Sequence, residues 1–414
     1  MTNRYMTNLY DKIIPKNSFL GKYLEMMDCF ETPKAFDFWS GVWVLSSLIN
    51  RRCFIDRQSI PLFMNFYIVF VADSGVCRKN TAVVIAQDIL DQVLDEKSVT
   101  MINSGTKPYS LYLMLSDRTA KQLPNNVCVN VPEFITFFKQ KEMLDVFNDL
   151  YDCPHKRRGY NGKNSYEFRN VFITLLSAST PNNYFSIINE EQLESGFNSR
   201  VIMLPSNSPK KKVGIIDESF REKRENIIET CKEILQKEFV SIAFDKSATR
   251  SFKAIYRRTK YGSNVCGSTN TRDPELATKL SGILAINRNS AQIEEQDIKN
   301  AFKIIQKQRK LEQIYMKTKV FEHNESEFEN SINRIRKYLI QAGESGLKHS
   351  ELYNKIRAKM SKEDFNIVMT IMHELELVDK YMYRNNTAYI YIANEKTISF
   401  DVSEVCQLIE SYHK

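Results

Sequence analysis

The residues from Ser74 to Thr81 have the types and order of a phosphate-binding loop. The apolar run "NFYIVFVA" precedes them, and the helical pattern "NTAVVIAQDILDQVL" follows. At such a strand-to-helix junction, backbone N–H groups at the helix N-terminus surround an anion while a lysine reaches its terminal phosphates. Lys79 is the candidate phosphate lysine, and the full set of candidate contacts is Ser74, Gly75, Val76, Cys77, Arg78, Lys79, Asn80 and Thr81.

This loop departs from the usual pattern G-x-x-x-x-G-K-[ST]. Asp73 and Arg78 occupy the two glycine positions, and Asn80 stands where a Ser or Thr hydroxyl would bind Mg²⁺. Asn80 still offers an amide oxygen, and Thr81 is adjacent. Taken alone, the segment therefore fits either a site for ATP and Mg²⁺ or an ordinary polar turn.

Two further apolar strands end in residues that would complete such a site. Glu133 follows the strand in "NNVCVNVPEF", at the position of the carboxylate that polarises water in a P-loop ATPase. Pro132 occupies the neighbouring metal-binding position, so Asn80 and Glu133 are the candidate Mg²⁺ contacts. Ser179, at the end of "NVFITLLSAST", would sense the terminal phosphate. A solvated acid and an ordinary strand-end hydroxyl remain the alternatives.

Two arginines follow in an order that favours a shared site. Arg200, in "ESGFNSRVIML", precedes another apolar strand, from which an arginine would reach a neighbouring subunit's nucleotide. Arg272, in "TRDPELATKL", would close over the same phosphates from a helical lid. For each arginine alone the alternative is a surface salt bridge. The order lysine, glutamate, polar strand end, arginine, arginine favours the catalytic interpretation.

These residues require a sheet that brings strand ends together. Strands alternating with helices predict a three-layer α/β core with a parallel sheet. We interpret this core as P-loop NTPase-like, with a helical N-terminal segment and a helical lid. Three helices followed by a β-ribbon predict a C-terminal winged helix. The predicted segments are residues 1–60 (N-terminal helices), 61–217 (α/β core), 218–320 (lid), 327–393 (winged helix) and 394–414 (tail).

Composition narrows the class of protein. The chain has 414 residues, 43% apolar content and a formal net charge of +8, which are ordinary values for a globular protein. Its eight cysteines are scattered without metal-ligand or redox spacing. No apolar run has the length of a signal segment or a membrane span. We therefore expect a soluble, cytoplasmic protein with reduced thiols and no membrane partner.

Residues from about 20 to 310 resemble the AAA+-type, MCM-like replicative helicase domain of phages and mobile genetic elements. The similarity is most specific in "PLFMNFYIVFVADSGVCRKNTAV", where relatives carry Arg-Lys-Ser-Thr instead of Gly-Lys-Ser. "SGFNSR" resembles the arginine-finger segment and "TRDPELATKLSGILA" the lid helix, which carries those roles onto Arg200 and Arg272. The resemblance implies an ATP-dependent ring, expected to be a hexamer. Asn80 and Pro132 depart from the family pattern, and both bear on Mg²⁺.

A basic hairpin is the first candidate for DNA contact. In "CPHKRRGYNGKNSYEFRN", the pair Asn161-Gly162 is a strong signal for a type I′ turn. The segment resembles the pore hairpin of MCM-like helicases. Lys163 at the tip, with Arg157 and Arg158 on one arm, would contact phosphates in the central channel. The alternative is a surface hairpin with ordinary basic residues.

The predicted winged helix is the second candidate. Its basic residues lie on or near the second helix and in the wing turn, and such modules place a helix in the major groove. They also dock proteins, and the third helix is acidic at its end, so both partners stay open. The candidate DNA contacts are Lys348, Lys355, Arg357 and Arg384, with Lys359 and Lys362 nearby.

The sequence thus predicts an ATP-dependent DNA helicase or helicase-like ATPase for replication of a mobile element or phage. A hydrolysis-deficient relative, which binds nucleotide and recruits replication proteins or DNA through its winged helix, is the alternative. An origin-binding initiator is a third interpretation.

Overall fold

The computed structural model describes residues 9–57, 60–103, 105–161, 164–188, 196–206, 208–239, 241–258, 269–321, 325–360, 362–374, 378–383 and 388–393. The chain forms two compact units, of which one extends to Glu312 and the other begins at Gln313. Among the described residues, each helix is too short or too polar to cross a lipid bilayer. The six described cysteines are buried and free.

Eleven described strands belong to the first unit. In chain order they are β1 (Phe54–Ile55), β2 (Leu62–Phe63), β3 (Tyr67–Val71), β4 (Thr100–Ile102), β5 (Asn126–Val131), β6 (Lys156–Asn161), β7 (Asn164–Arg169), β8 (Phe172–Ser179), β9 (Val201–Pro205), β10 (Ala243–Phe244) and β11 (Gln292–Ile293). Five of them form a parallel sheet in the order β4-β5-β8-β3-β9.

Helices flank this sheet. The described α-helices of the first unit begin with α1 (Phe19–Met27), α2 (Lys34–Ile49), α3 (Lys79–Asp91), α4 (Pro108–Ala120), α5 (Phe134–Phe138) and α6 (Glu142–Leu150). They continue with α7 (Pro181–Ile187), α8 (Phe197–Arg200), α9 (Ser219–Gln236), α10 (Lys246–Arg258), α11 (Asp273–Asn287) and α12 (Glu295–Phe321), and α12 runs across the division between the two units.

The central strand β3 shows why the sheet is covered on both sides. All five of its residues are buried, and successive side chains point to opposite faces. On one face the ring of Phe70 stacks on Phe36 of α2, with centroids 4.3 Å apart. On the other face Tyr67 packs edge-on against Tyr151, which follows α6, at 5.1 Å. A continuous apolar strand therefore buries both faces, as a parallel strand between helix layers does.

The second unit has its own core. Its helices are α13 (Glu325–Ala342), α14 (His349–Ile356) and α15 (Lys362–Glu374), and its strands are β12 (Leu347–Lys348), β13 (Val378–Tyr383) and β14 (Ala388–Ala393). The strands form an antiparallel sheet in the order β12-β14-β13. Apolar side chains from all three helices and from β13 and β14 form one cluster that includes Ile335, Leu352 and Phe365.

Most predicted elements are confirmed, with three differences. The alternation of helices and strands, the hairpin β6–β7 and the three C-terminal helices with their terminal β-ribbon are all present. The predicted all-helical character of residues 1–60 is wrong at Phe54–Ile55, which pair with β2. Strand β4 was not predicted, because three residues carry too little periodicity. The last helix of the segment predicted as the lid, residues 218–320, continues one residue past that segment, to Phe321.

Candidate functional site

The strand order brings three predicted residues to one edge of the sheet. Because β8 lies between β3 and β5, the carboxyl ends of these strands are neighbours. Val71 pairs in register with Ser179, and Val131 pairs with Ser177. The loop before Lys79 and the turn before Glu133 therefore leave the sheet on either side of Ser179. In open α/β sheets this edge is where ligands bind.

The loop between β3 and α3 makes a tight turn with two residues at positive φ. Gly75 has φ +78°, and no atom lies within 4 Å of the place where a Cβ would stand. Arg78 has φ 48° and directly precedes the first helical residue, Lys79. A left-handed conformation costs a non-glycine residue roughly 1–2 kcal/mol. Asp73 keeps a negative φ. Arg78 thus adopts the left-handed conformation that usually requires glycine, whereas the backbone at Asp73 does not require glycine.

The side chain of Arg78 has a partner in the N-terminal segment. Its Nε donates to Oε2 of Glu31 at 3.0 Å, and the side chain is 60% exposed. Glu31 also accepts from the backbone N–H of Val213 at 2.8 Å. The pKa of Glu31 lies below its usual range, chiefly because of the Val213 hydrogen bond and then that of Arg78. Arg78 was predicted to contact phosphate; in the structure it pairs with Glu31 instead.

Because Arg78 pairs with Glu31, we expect Arg78 and Lys79 to contribute differently to ATP affinity. We expect Arg78→Ala to weaken ATP binding by less than about fivefold, since an exposed ion pair contributes about 1 kcal/mol or less. Equilibrium titration with a fluorescent ATP analogue measures the effect. Glu31→Ala is the matched control and should change the affinity by a similar factor. A loss with Arg78→Ala as large as that with Lys79→Ala would instead make Arg78 a phosphate ligand.

Lys79 and Glu133 belong to one electrostatic site. The Nζ of Lys79 donates to the carbonyl oxygen of Asp73 at 3.3 Å. Burial lowers the pKa of Lys79, while the charges of Cys77, Asp73 and Glu133 act in the opposite direction. Glu133 therefore lies close enough to stabilise the ammonium group. Burial raises the pKa of the Cys77 thiol to about 11, which makes it an inert neighbour and not a nucleophile.

The remaining residues at this edge differ in how they are held. Glu133 is exposed and precedes α5, and its carbonyl oxygen accepts from the N–H of Thr136 at 3.1 Å. Ser179 is buried, and its hydroxyl has no hydrogen-bond partner among the described residues. Asn80 and Ser74 are exposed. A buried hydroxyl without a partner, beside a lysine and an open glycine, fits a phosphate group.

No cluster of three or more His, Cys, Asp or Glu side chains in the described part of the chain is arranged to hold a metal ion. The assignment of Asn80 and Glu133 as Mg²⁺ contacts stays a prediction.

Arg200 lies at the opposite edge of the sheet. Strand β9 pairs with β3 so that Val201 opposes Tyr67, which places Arg200 beside the first residue of β3. Lys79 follows the last residue of β3, and five strand residues span roughly 13 Å. Arg200 is thus separated by the length of the strand from the loop of its own chain. The role predicted for Arg200 in a neighbouring subunit stays a prediction.

Arg272 lies beside Arg200 and not over its own loop. The guanidinium carbon of each arginine is 5.5 Å from the ring centroid of Tyr151. Arg272 also lies 3.5 Å from Asp152 and 3.4 Å from Glu275. The expectation that Arg272 closes over the same phosphates as Lys79 therefore fails within one chain.

Tyr151 and Lys279, which the sequence did not single out, hold this arginine pair. Lys279 is buried, its Nζ lies 3.8 Å from the Tyr151 ring centroid, and it donates to Asn65 Oδ1 at 2.9 Å. The face of an aromatic ring attracts cations, and three cationic side chains lie close to the ring of Tyr151. Burial lowers the pKa of Arg200, and the charge of Arg272 lowers it further. Two guanidinium groups that repel each other are stabilised by an anion between them.

The hairpin arginines lie on different faces. Arg157 pairs with Asp149 of α6 at 2.6 Å, while Arg158 pairs with Glu167 on the opposing strand. Arg157 is exposed but lies on the α6 side of the hairpin, so the two arginines that were predicted to contact phosphates together point to opposite faces. The register Asn161↔Asn164 confirms a two-residue connection. Lys163 lies in that connection, outside the described residues.

The basic residues of the second unit are divided between pairing and exposure. Lys348 precedes α14 and pairs with Glu351 at 3.1 Å. Lys355, Arg357 and Lys359 are exposed on or just after α14. Arg384 falls outside the residues that the structure describes. Lys337 of α13 and Lys362 at the start of α15 are exposed as well.

Comparison with protein-family models and with curated proteins found no match to this chain. Function must therefore be inferred from the geometry.

Proposed function

We propose that this protein is an ATP-dependent DNA helicase-like ATPase of the AAA+, MCM-like type, with a P-loop NTPase core. The observation that carries the proposal is the meeting of Lys79, Ser179 and Glu133 at the carboxyl edge of one parallel sheet. The strand order β5-β8-β3 makes these three ends neighbours. Residues far apart in the chain thus converge where a triphosphate would lie.

Each residue at this edge has a distinct task in the proposed reaction. The N-terminal N–H groups of α3 and the ammonium group of Lys79 hold the β- and γ-phosphates of ATP. Glu133 orients the attacking water, and the Ser179 hydroxyl donates to a γ-phosphate oxygen. Bound Mg²⁺ would neutralise phosphate charge, held by the nucleotide with Asn80 and Glu133 nearby. The water oxygen then attacks the γ-phosphorus in line while the bond from that phosphorus to the β–γ bridging oxygen breaks, so that ADP leaves, and Glu133 takes up the water proton.

The second half of the site comes from a neighbouring copy. Arg200 and Arg272 lie at the amino edge of the sheet, a strand's length from Lys79, so they suit a phosphate bound by the next subunit. Their positive charge would stabilise the charge that develops on the transferred phosphoryl group. A head-to-tail arrangement of this kind closes into a ring, for which we propose a hexamer.

DNA is the proposed partner of two regions. The hairpin β6–β7 would contact a single strand in the central channel, and hydrolysis would move it along that strand. In the second unit the three helices and antiparallel sheet support a winged-helix interpretation, with Lys355 and Arg357 exposed for duplex DNA or a replication protein. The test is steady-state ATP turnover with and without single-stranded DNA. Turnover that DNA stimulates supports the proposal, and no turnover under either condition rejects it.

Asn80 and Pro132 favour the second candidate, a relative that binds ATP without efficient hydrolysis. Neither side chain supplies the ligand usual at its position for Mg²⁺. We expect Asn80→Ser to increase turnover at limiting Mg²⁺ by at least about tenfold, because it restores a metal-binding hydroxyl. A Mg²⁺ titration of phosphate release measures this gain, with Thr81→Ser as the control. Equal turnover in the wild type and Asn80→Ser would show that Asn80 already serves the metal.

A further inference from the structure

The hairpin β6–β7 has one face fixed to the core. Opposed residues share a face and alternate along each strand. On the inner face Tyr166 and Phe168 stack on Tyr112 of α4, with ring centroids 4.8 and 5.5 Å apart. Gly159 leaves room for the Tyr166 ring, since a Cβ there would lie 2.3 Å from the Tyr166 hydroxyl oxygen. The hairpin therefore keeps a fixed orientation on α4.

The outer face carries cations around a single carboxylate. Lys156 and Arg169 oppose each other, as do Arg158 and Glu167. All three cations form ion pairs with Glu167. Hydrogen bonds from Arg158, Arg169 and Lys156, in that order, lower the pKa of Glu167 to about 2. Glu167 stays ionised near neutral pH, and three cations against one carboxylate leave this face positive.

Tyr160 extends the outer face toward the tip of the hairpin. It opposes Ser165, and 75% of its surface is exposed. It lies two residues from Arg158 on the same face, or roughly 6.6 Å along the strand. Tyr166, in contrast, is packed against α4. The hairpin thus presents an exposed aromatic ring next to a face that carries excess positive charge.

We propose that this outer face, formed by Lys156, Arg158, Tyr160 and Arg169, binds single-stranded nucleic acid, with a base stacked on Tyr160. The proposal rests on the proposed function and names a residue that reads the base and not only the phosphate. Cations beside an aromatic ring suit a ligand that alternates phosphates and flat π-systems. A duplex keeps its bases stacked on each other and offers no free base face. An acidic protein surface would use the cations without needing the ring.

Removing the aromatic ring of Tyr160 from the protein and removing the bases from the DNA should each weaken binding to a similar extent. Binding of a labelled DNA strand is measured by fluorescence anisotropy without ATP, using a normal strand and an abasic strand of equal length. We expect Tyr160→Ala to weaken binding of the normal strand by about 5- to 100-fold and to leave the abasic strand unchanged. Tyr160→Phe keeps the ring and should bind as the wild type does. Because Tyr160 is exposed, each variant should fold, which circular dichroism checks.

The cations should behave differently from the ring. We expect Arg158→Ala to weaken binding of both strands and to reduce the salt dependence by about 0.7 in the logarithmic slope. Lys299→Ala, an exposed lysine on α12, is the control and should change neither quantity. Tyr160→Ala binding both strands as the wild type does would overturn the inference. So would equal competition by polyglutamate, insensitive to Tyr160, which would identify an acidic protein partner.

Binding and turnover separate this inference from the proposed function. If Tyr160 is needed to bind the normal strand but the protein releases no phosphate, the stacking role is supported and the ATPase function is rejected. If DNA stimulates ATP turnover but Tyr160→Ala binds DNA as the wild type does, the ATPase function is supported and the stacking role is rejected.

Discussion

Replacing Lys79 by alanine is expected to lower ATP turnover by about 10²–10³-fold, the usual loss when one charge-stabilising donor is removed from a preorganised site. Lys79 is the cation at the strand-to-helix junction, and the Glu133 charge acts on it directly. Nucleotide affinity should fall with turnover, because the lysine also contacts the phosphates in the ground state. Phosphate release and analogue titration measure the two quantities.

A second lysine serves as the control that shows whether the loss of turnover is specific to Lys79. Lys299, exposed on α12 and paired with Glu295, carries the same charge and is not one of the predicted site residues. Lys299→Ala should retain full turnover and affinity. Lys79→Ala should also unfold at the temperature of the wild type, since the Lys79 side chain makes one long hydrogen bond, to Asp73. Equal turnover in the wild type and Lys79→Ala would mean that the measured hydrolysis occurs elsewhere.

The second large effect concerns Arg200 and requires two copies of the chain. We expect Arg200→Ala to lower turnover by about 10³-fold or more while ATP binding is retained, because an arginine supplied in trans acts on the transition state. Lys79→Ala and Arg200→Ala are each inactive for different reasons. When they are mixed before assembly, about a quarter of random head-to-tail interfaces combine an intact Lys79 with an intact Arg200. The mixture should therefore regain activity that neither variant has alone.

Two outcomes distinguish a shared site from structural damage. Arg200→Lys keeps the charge and the contact with Tyr151, so it should assemble normally and lose less turnover than Arg200→Ala. A mixture that stays as inactive as its components would contradict a site shared between subunits. Loss of ATP binding in Arg200→Ala would place the arginine in its own chain's site, against the observed separation of the two sheet edges.

Local sequence pattern was sufficient to predict the strand and the helix that carry the proposed phosphate site. The strand ending at Val71 is apolar throughout, and the following residues restore a helical period, so both the junction and Lys79 could be predicted. Asn161-Gly162 correctly predicted a hairpin in this segment, because few other dipeptides allow positive φ at both turn positions. Its register was wrong by one residue, since Asn161 is the last residue of β6 and pairs with Asn164. The convergence of Glu133 and Ser179 followed from one further rule, that parallel strands end at a common edge.

Long-range side-chain partners could not be predicted in the same way. Nothing near Arg78 in the sequence indicates its pairing with Glu31, which lies in the N-terminal helical segment. Arg272 was expected near the carboxyl ends of the strands but lies near their amino ends. The order of motifs along the chain does not specify to which end of the sheet the helix that follows Arg272 packs. The gathering of cations around Tyr151 depends on three separate segments. In contrast, strand alternation alone could have placed Arg157 and Arg158 on opposite faces.

The central claim is that the loop from Ala72 to Arg78 holds a triphosphate although arginine replaces its second glycine. A high-resolution structure with a nonhydrolysable ATP analogue and Mg²⁺ tests this most directly. We expect the γ-phosphate within hydrogen-bond distance of Lys79 Nζ and the Ser179 hydroxyl, with Arg200 and Arg272 of an adjacent copy facing it. A loop without nucleotide at saturating analogue, with the Lys79 Nζ still bonded to the Asp73 carbonyl, would contradict the claim.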